Sequence, residues 1–317
     1  MISGAAGLIW EKDAGVNSVQ PILMPVVLVP LGSKFEVEAE GEFQGFVSQQ
    51  GPGGPWNAQY FTSVPYIQLD YIVNKHITLV AGRFETPFNI YNERLQPIWI
   101  HNFQDAPLIY PIGTRSTGSS NGGMIRGVAV DRDNWQLNYA AYFSAQVEDE
   151  HFGSGRTFGL RSGVFLPKKR LEFGFSYQRF LEDTHLNSYG AYLSWQPRSA
   201  PLDVKAEYAH SPAGQGYWIE AAYRFRGTSG KGSFLKNIQP IVRGQQLFHG
   251  EAVAESFLPT VDTQRVDFGV NYYLPHEVRV NASYGRQFSG IGDFNAWTVD
   301  ITYRFLFPMP FWPKGAN

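Results

Sequence analysis

The chain contains no cysteine, which removes disulfides, thiolate metal sites and cysteine nucleophiles from consideration. Charge is scarce as well. Asp, Glu, Lys and Arg make up 17% of the 317 residues, below the roughly one quarter usual for soluble domains. A formal net charge of −2 leaves neither a nucleic-acid footprint nor a strongly acidic surface. Long apolar runs are missing too. The longest, Pro21 to Leu31, is about half of what a spanning helix needs, and Pro25 and Pro30 break it. Met1 to Trp10 lacks the basic start and apolar stretch of a signal peptide, so export implies a numbering that begins after a removed leader.

Aromatic residues and glycine are what the chain has in abundance: 24 Phe, 17 Tyr, 8 Trp and 33 Gly. That mixture suits short amphipathic strands better than packed helices, and the order of residues agrees. Trp297, Val299, Ile301, Tyr303 and Phe305 alternate with Thr298, Asp300, Thr302 and Arg304. Leu171 to Gln178, Leu202 to Tyr208, Val266 to Tyr272 and Val278 to Tyr284 follow the same period of two. Side chains on a strand point alternately to opposite faces, so each segment predicts a two-faced strand.

Short turn signals separate these segments at Leu31–Lys34, Asn74–Lys75, Arg132–Asn134, Lys168–Arg170, Arg198–Ala200 and Pro275–Glu277, with a looser break over Gly227–Lys236. Longer polar loops lie between them, as at Gln49–Asn57, Val147–Gly155 and Gly250–Asp262. Short turns alternating with long loops are the rhythm of an all-β, antiparallel, up-and-down transmembrane barrel, forming one domain over the whole chain. Seven turns with both termini on the turn side predict 16 strands, the first a weak one near Ser3–Trp10; counts of 14 and 18 stay open. A soluble β-sandwich would also alternate. Against it stand the bulky aromatics at strand ends, such as Tyr189, Trp195, Trp297 and Phe305, which suit interfacial girdles, and a strand number beyond an ordinary sandwich.

The longest irregular segment, 90–122, is by this count the third loop on the long-loop side. It holds Glu93, Arg94, Trp99, His101, Asp105, Tyr110 and Arg115. Segments of that length without regular structure are usually functional. We expect it to fold inward and constrict a pore, the alternative being an external cap. Glu36, Glu38, Glu40 and Glu42 occupy alternate positions and must face water rather than lipid. Arg224, Arg226, Arg265, Arg279 and Arg304 hold lumen positions on late strands. Acidic and basic walls would set up a transverse field across a pore; neighbouring Glu–Arg pairs with little selectivity are the equal alternative.

The stretch Ala81-Gly82-Arg83-Phe84-Glu85-Thr86-Pro87-Phe88-Asn89 resembles the Gly-Lys/Arg-Phe-x-x-Pro-Phe-Gly signature of the phosphate-selective porin O and P superfamily. Asn92 to Ile100 looks like the corresponding loop of porin-like proteins near that group. The specific resemblance covers roughly residues 60 to 145. Asn89 replaces the family's glycine with another residue that tolerates positive φ. The resemblance implies a sixteen-stranded, trimeric barrel of the bacterial outer membrane. The family's arginine- and lysine-rich ladder is not evident here, so phosphate specificity is not carried over. Trp297 to Phe305 resembles the terminal targeting strand of outer-membrane proteins, and the proline-bearing tail 306–317 is expected to lie outside the sheet.

These readings predict a diffusion pore for small hydrophilic solutes or ions, with no cofactor, no metal and no nucleic-acid partner. A sugar- or anion-selective channel is one alternative, with Trp99, Phe103 and Tyr110 as a stacking track and Arg94 and Arg115 recruiting anions. A barrel sheathing a partner protein is another. Catalysis has little to rest on: His101 and Asp105 lie near Ser119 and Ser120 without a nucleophile elbow. Asp149 and His151 form only a two-residue polar pair, with no HExxH motif nearby.

Overall fold

A computed structural model of the chain describes residues 1–114, 118–149, 151–182, 185–225, 231–250 and 258–308. Sixteen antiparallel strands close into one barrel in sequence order, with β1 returning to pair with β16. The first half comprises β1 Ile2–Asp13, β2 Val16–Leu31, β3 Phe35–Gln49, β4 Trp56–Asn74, β5 Ile77–Glu85, β6 Ser119–Arg132, β7 Trp135–Ala145 and β8 Thr157–Leu166. The second comprises β9 Leu171–Phe180, β10 Asn187–Trp195, β11 Leu202–Ser211, β12 Gly214–Tyr223, β13 Ile238–His249, β14 Thr263–Leu274, β15 Val278–Ser289 and β16 Phe294–Phe307. All seven turns read from the sequence connect strand pairs at one end. At the other end the connections are less uniform than expected. Ala14–Gly15 and Pro212–Ala213 are two-residue turns, the first with both residues at positive φ, which matches the twist of the flanking strands.

The period of two becomes inside and outside. On β16, Trp297, Val299, Ile301 and Tyr303 are exposed on the outer surface while Thr298, Asp300 and Thr302 are buried. On β14, Phe268 and Val270 face out and Asp267 and Asn271 face in. A closed sheet has no free edge, and its outer face here is an apolar band with Trp195, Tyr223 and Tyr303 toward the turn end and Trp10, Tyr189 and Trp297 toward the loop end. No helix among the described residues is long and apolar enough to cross a membrane.

Prolines within strands are accommodated locally. Pro21 and Pro25 lie in β2, where pairing with β3 lapses, and the Pro21 ring packs over Gly45. On β4, Pro65 sits in a bulge: Glu40 opposes Tyr66 but Glu42 opposes Ser63. The bulge frees two carbonyls from the ladder. The Arg83 guanidinium donates to Val64 O at 2.6 Å and the Ser119 hydroxyl to Pro65 O at 2.7 Å. The arginine of the porin-like motif thus supports the wall.

Two boundaries differ from the sequence reading. Ser119–Gly122 belong to β6, because their backbone pairs with β5 and β7 despite a polar, glycine-rich sequence. Leu306 and Phe307 extend β16 by pairing with Ser3 and Ile2, so the tail leaves the sheet later than expected. Residues 309–317, Arg115 and Arg226 lie outside the described residues.

Candidate functional site

The segment between β5 and β6 crosses the interior of the barrel. Its neck is closed by Thr86 N donating to Gly118 O at 2.9 Å. Asn92 stitches the same neck, donating to Thr86 O and Gly118 O and accepting from the Tyr110 hydroxyl. Asn89 adopts φ 55°, the left-handed conformation for which asparagine is tolerated, and turns the chain inward. Its side chain lies where a Cβ on Gly190 of β10 would stand. Gly216 of β12 gives way in the same manner to Ile109. A single π-helical turn, Tyr91–Leu95, follows Asn89. Its first amides, Ile90 N and Tyr91 N, donate to the Glu207 carboxylate at 2.7 Å each, the favoured partner for a helix N-terminus.

Polar contacts then tie this segment to every strand from β8 to β15. Glu93 pairs with Arg161, and Arg94 with Glu172 at 2.8 Å. The Ser188 hydroxyl donates to Ile112 O, and Asn102 donates to Glu220 at 2.7 Å. Asp105 takes ion pairs from Arg243 and Arg265, both of which also hold Asp267. Arg279 donates to the carbonyls of Ile98 and His101, and Asn281 to that of Asn102. Apolar packing completes the docking: Phe88, Ile90, Tyr91, Ile109 and Ile112 meet Trp218 and Leu247, and Ile98 meets Ile22 and Met24.

Electrostatics follow from this burial. Burial opposes ionisation of Asp105, but the guanidiniums of Arg265 and Arg243 outweigh it and hold the carboxyl below its ordinary value. Burial pushes the His101 imidazole down to about 4, and the Arg279 charge adds to the effect. His101 hydrogen-bonds Gln104 at 2.8 Å. Ser119 donates to Pro65 O and Ser120 bonds Thr86, so these serines do not join His101 and Asp105 in a hydrolytic arrangement. Asp149 accepts the amides of His151 and Phe152 as a local turn. Among the described residues no three metal-ligating side chains converge.

The remaining sequence-chosen residues are spread through the barrel. Glu36, Glu38, Glu40 and Glu42 stand on β3 opposite Asp70, Gln68, Tyr66 and Ser63. Arg265 and Arg279 are engaged by the crossing loop. Arg224 lies at the turn end, stacked 4.1 Å over Tyr273, and Arg304 is exposed near the same end. The three aromatics of the stacking reading are apart. Trp99 borders a cavity of about 470 Å³ toward the turn end, and Tyr110 one of about 540 Å³ toward the loop end. Phe103 is buried beneath Arg243. Sequence reasoning missed Arg161, Glu172, Glu207 and Arg243, the wall side of the docking. Their inward parity was readable from alternation; their loop partners were not.

No protein-family model and no curated protein matches the sequence. Solved structures do resemble the fold. OmpF of Salmonella typhi, solved in complex with daunomycin, aligns at a TM-score of 0.64 and 12% identity over 96% of this chain and 97% of its own. The high-pH structure of Pseudomonas putida OprB gives 0.64 and 9%, over 96% and 93%. The anion-selective porin of Comamonas acidovorans gives 0.60 and 9%, over 96% and 99%. At such identities the likeness is one of architecture: this chain has the porin fold, a closed barrel of sixteen antiparallel strands.

Proposed function

We propose that the protein is a passive diffusion channel of the bacterial outer membrane, with the short turns periplasmic and the long loops outside. The observation that carries this reading is a closed barrel with an apolar outer face, whose polar interior is crossed by the β5–β6 loop, held through charged contacts. Loop 86–118 then acts as the constriction, with Glu93, Arg94, Trp99, His101, Asp105, Tyr110 and Arg115 on it. The β3 glutamates and the late-strand arginines act as the surrounding wall. The wall arginines that grip the loop are spent on carboxylates and carbonyls, which leaves the acidic side of β3 less compensated and favours cations over anions. Small hydrophilic solutes or ions are the cargo and lipid the surrounding partner. A homotrimer is the assembly that the porin resemblance supports, and the small outward residues Ala39 and Gly41 allow close approach between barrels. The reading requires no cofactor.

Planar-bilayer recording of the purified protein tests this. Ohmic conductance without block by sugars or phosphate supports a general pore. Block by either would point to a selective channel. Absence of current would overturn the channel in favour of a sheath. Deleting Gln104–Thr114, which removes the Asp105 clamp, should raise single-channel conductance; an unchanged value would remove the loop from its role as constriction.

A further inference from the structure

The cavity of about 470 Å³ at the turn end is lined by Glu38, Glu40 and Glu85 together with Trp99, Phe84 and Met124. Its size lies within the range of small-molecule sites. Glu40 is 2% exposed, and its Oε2 has no hydrogen-bond partner. Among the described residues Glu38 takes one long hydrogen bond, 3.4 Å, from Gln68. The charges beside Glu85 are those of Glu40 and Glu93, also negative. Two arginines line this cavity: Arg126 is held by Asp70 at 2.5 Å, and Arg304 is exposed. Among the described residues neither forms an ion pair with Glu38, Glu40 or Glu85.

Carboxylates withdrawn from water without a counter-charge are costly, and a ligand that brings a cation relieves that cost. Among the described residues no three ligating groups converge as a metal ion requires, and half of the wall is aromatic or aliphatic. We propose that this cavity binds an organic cation: an ammonium group against Glu40 and Glu85, carried on an apolar body that packs on Trp99. The ammonium supplies the donor that Glu40 Oε2 lacks. The apolar body displaces water from a surface that gains from losing it. Binding is a property of the cavity; only its role as a station on a diffusion path rests on the channel reading.

Titration calorimetry of the full-length protein in detergent, with phenethylammonium as probe, reads binding without any current. Failure of conductance therefore leaves this proposal intact, and conductance without binding overturns it alone. Glu40→Gln should weaken binding about tenfold or more, the worth of one charge-assisted hydrogen bond. Trp99→Ala should weaken it as well, and Glu148→Gln, in an exposed loop, should leave it unchanged. Heat-modified gel migration checks folding; should Glu40→Gln not fold, Glu85→Gln takes its place. The proposal fails if wild-type protein does not bind the probe, if phenethyl alcohol binds as tightly, if inorganic ammonium displaces the probe at equal concentration, or if the folded glutamine variant binds like wild type.

Discussion

Arg243 is 1% exposed and serves two carboxylates at once, Asp105 on the loop and Asp267 on the wall. Its plane also lies 4.7 Å over the Phe103 ring, so it both neutralises and packs. Arg243→Met keeps most of the volume but leaves Asp267 and Asp105 to the single remaining Arg265. Removing one partner from a buried charged cluster typically costs about 3–5 kcal/mol, and a loss toward the lower end is expected because Arg265 remains. The urea midpoint for unfolding from lipid vesicles reads this, and a midpoint unchanged within error would show that the clamp contributes nothing. Gly190→Ala acts on the same docking from the wall. Its Cβ would take the space of the Asn89 side chain, and crowding of that kind costs about 1–3 kcal/mol. The same variant should expose the loop neck to protease while the barrel stays folded; unchanged protection would mean that Asn89 simply swings aside.

At the scale of the element, the crossing loop responds to pH through His101. Burial holds its folded-state value near 4, below the ordinary 6.5. The unfolded or undocked chain therefore binds a proton first as pH falls. Docking is fully stable above about 6.5, weakens between 6.5 and 4, and levels off below, with a total loss of up to about 3 kcal/mol from a shift of this size. Other carboxylates titrate in the same window, so the useful quantity is the difference between wild type and His101→Gln. That difference should be constant at pH 7 and above and shift in favour of the glutamine variant toward pH 4. A difference independent of pH would refute the assignment. Much of this loop was legible before the structure: its length, its place as third on its side and the positive φ available to Asn89 all follow from residue order. Its partners were not, because Glu93–Arg161 and Asp105–Arg243 join residues far apart in the chain, and alternation assigns a face without assigning a neighbour.

The whole molecule is decided by the contrast between its two surfaces. Phe268, at the middle of β14, is 56% exposed on the outer face. In lipid, Phe268→Arg should cost about 2–4 kcal/mol, and Tyr272→Arg, nearer the turn end, about 0–1 kcal/mol. Equal costs at both sites, measured by folding into vesicles, would contradict a bilayer spanning the barrel at this height.

What the residue order determined by itself was the barrel. A period of two is local, so Trp297–Phe305 and its counterparts declare two faces without knowledge of any partner, and seven turn signals with a weak first strand count to sixteen. Only the tertiary structure decided what occupies the interior. Arg265 and Arg279, readable as wall cations, are consumed by the loop's carboxylate and carbonyls, whereas Glu40 keeps an oxygen without a partner. That division depends on which inward side chains meet across the lumen, and closing a sheet on itself brings together residues that no sequence window contains.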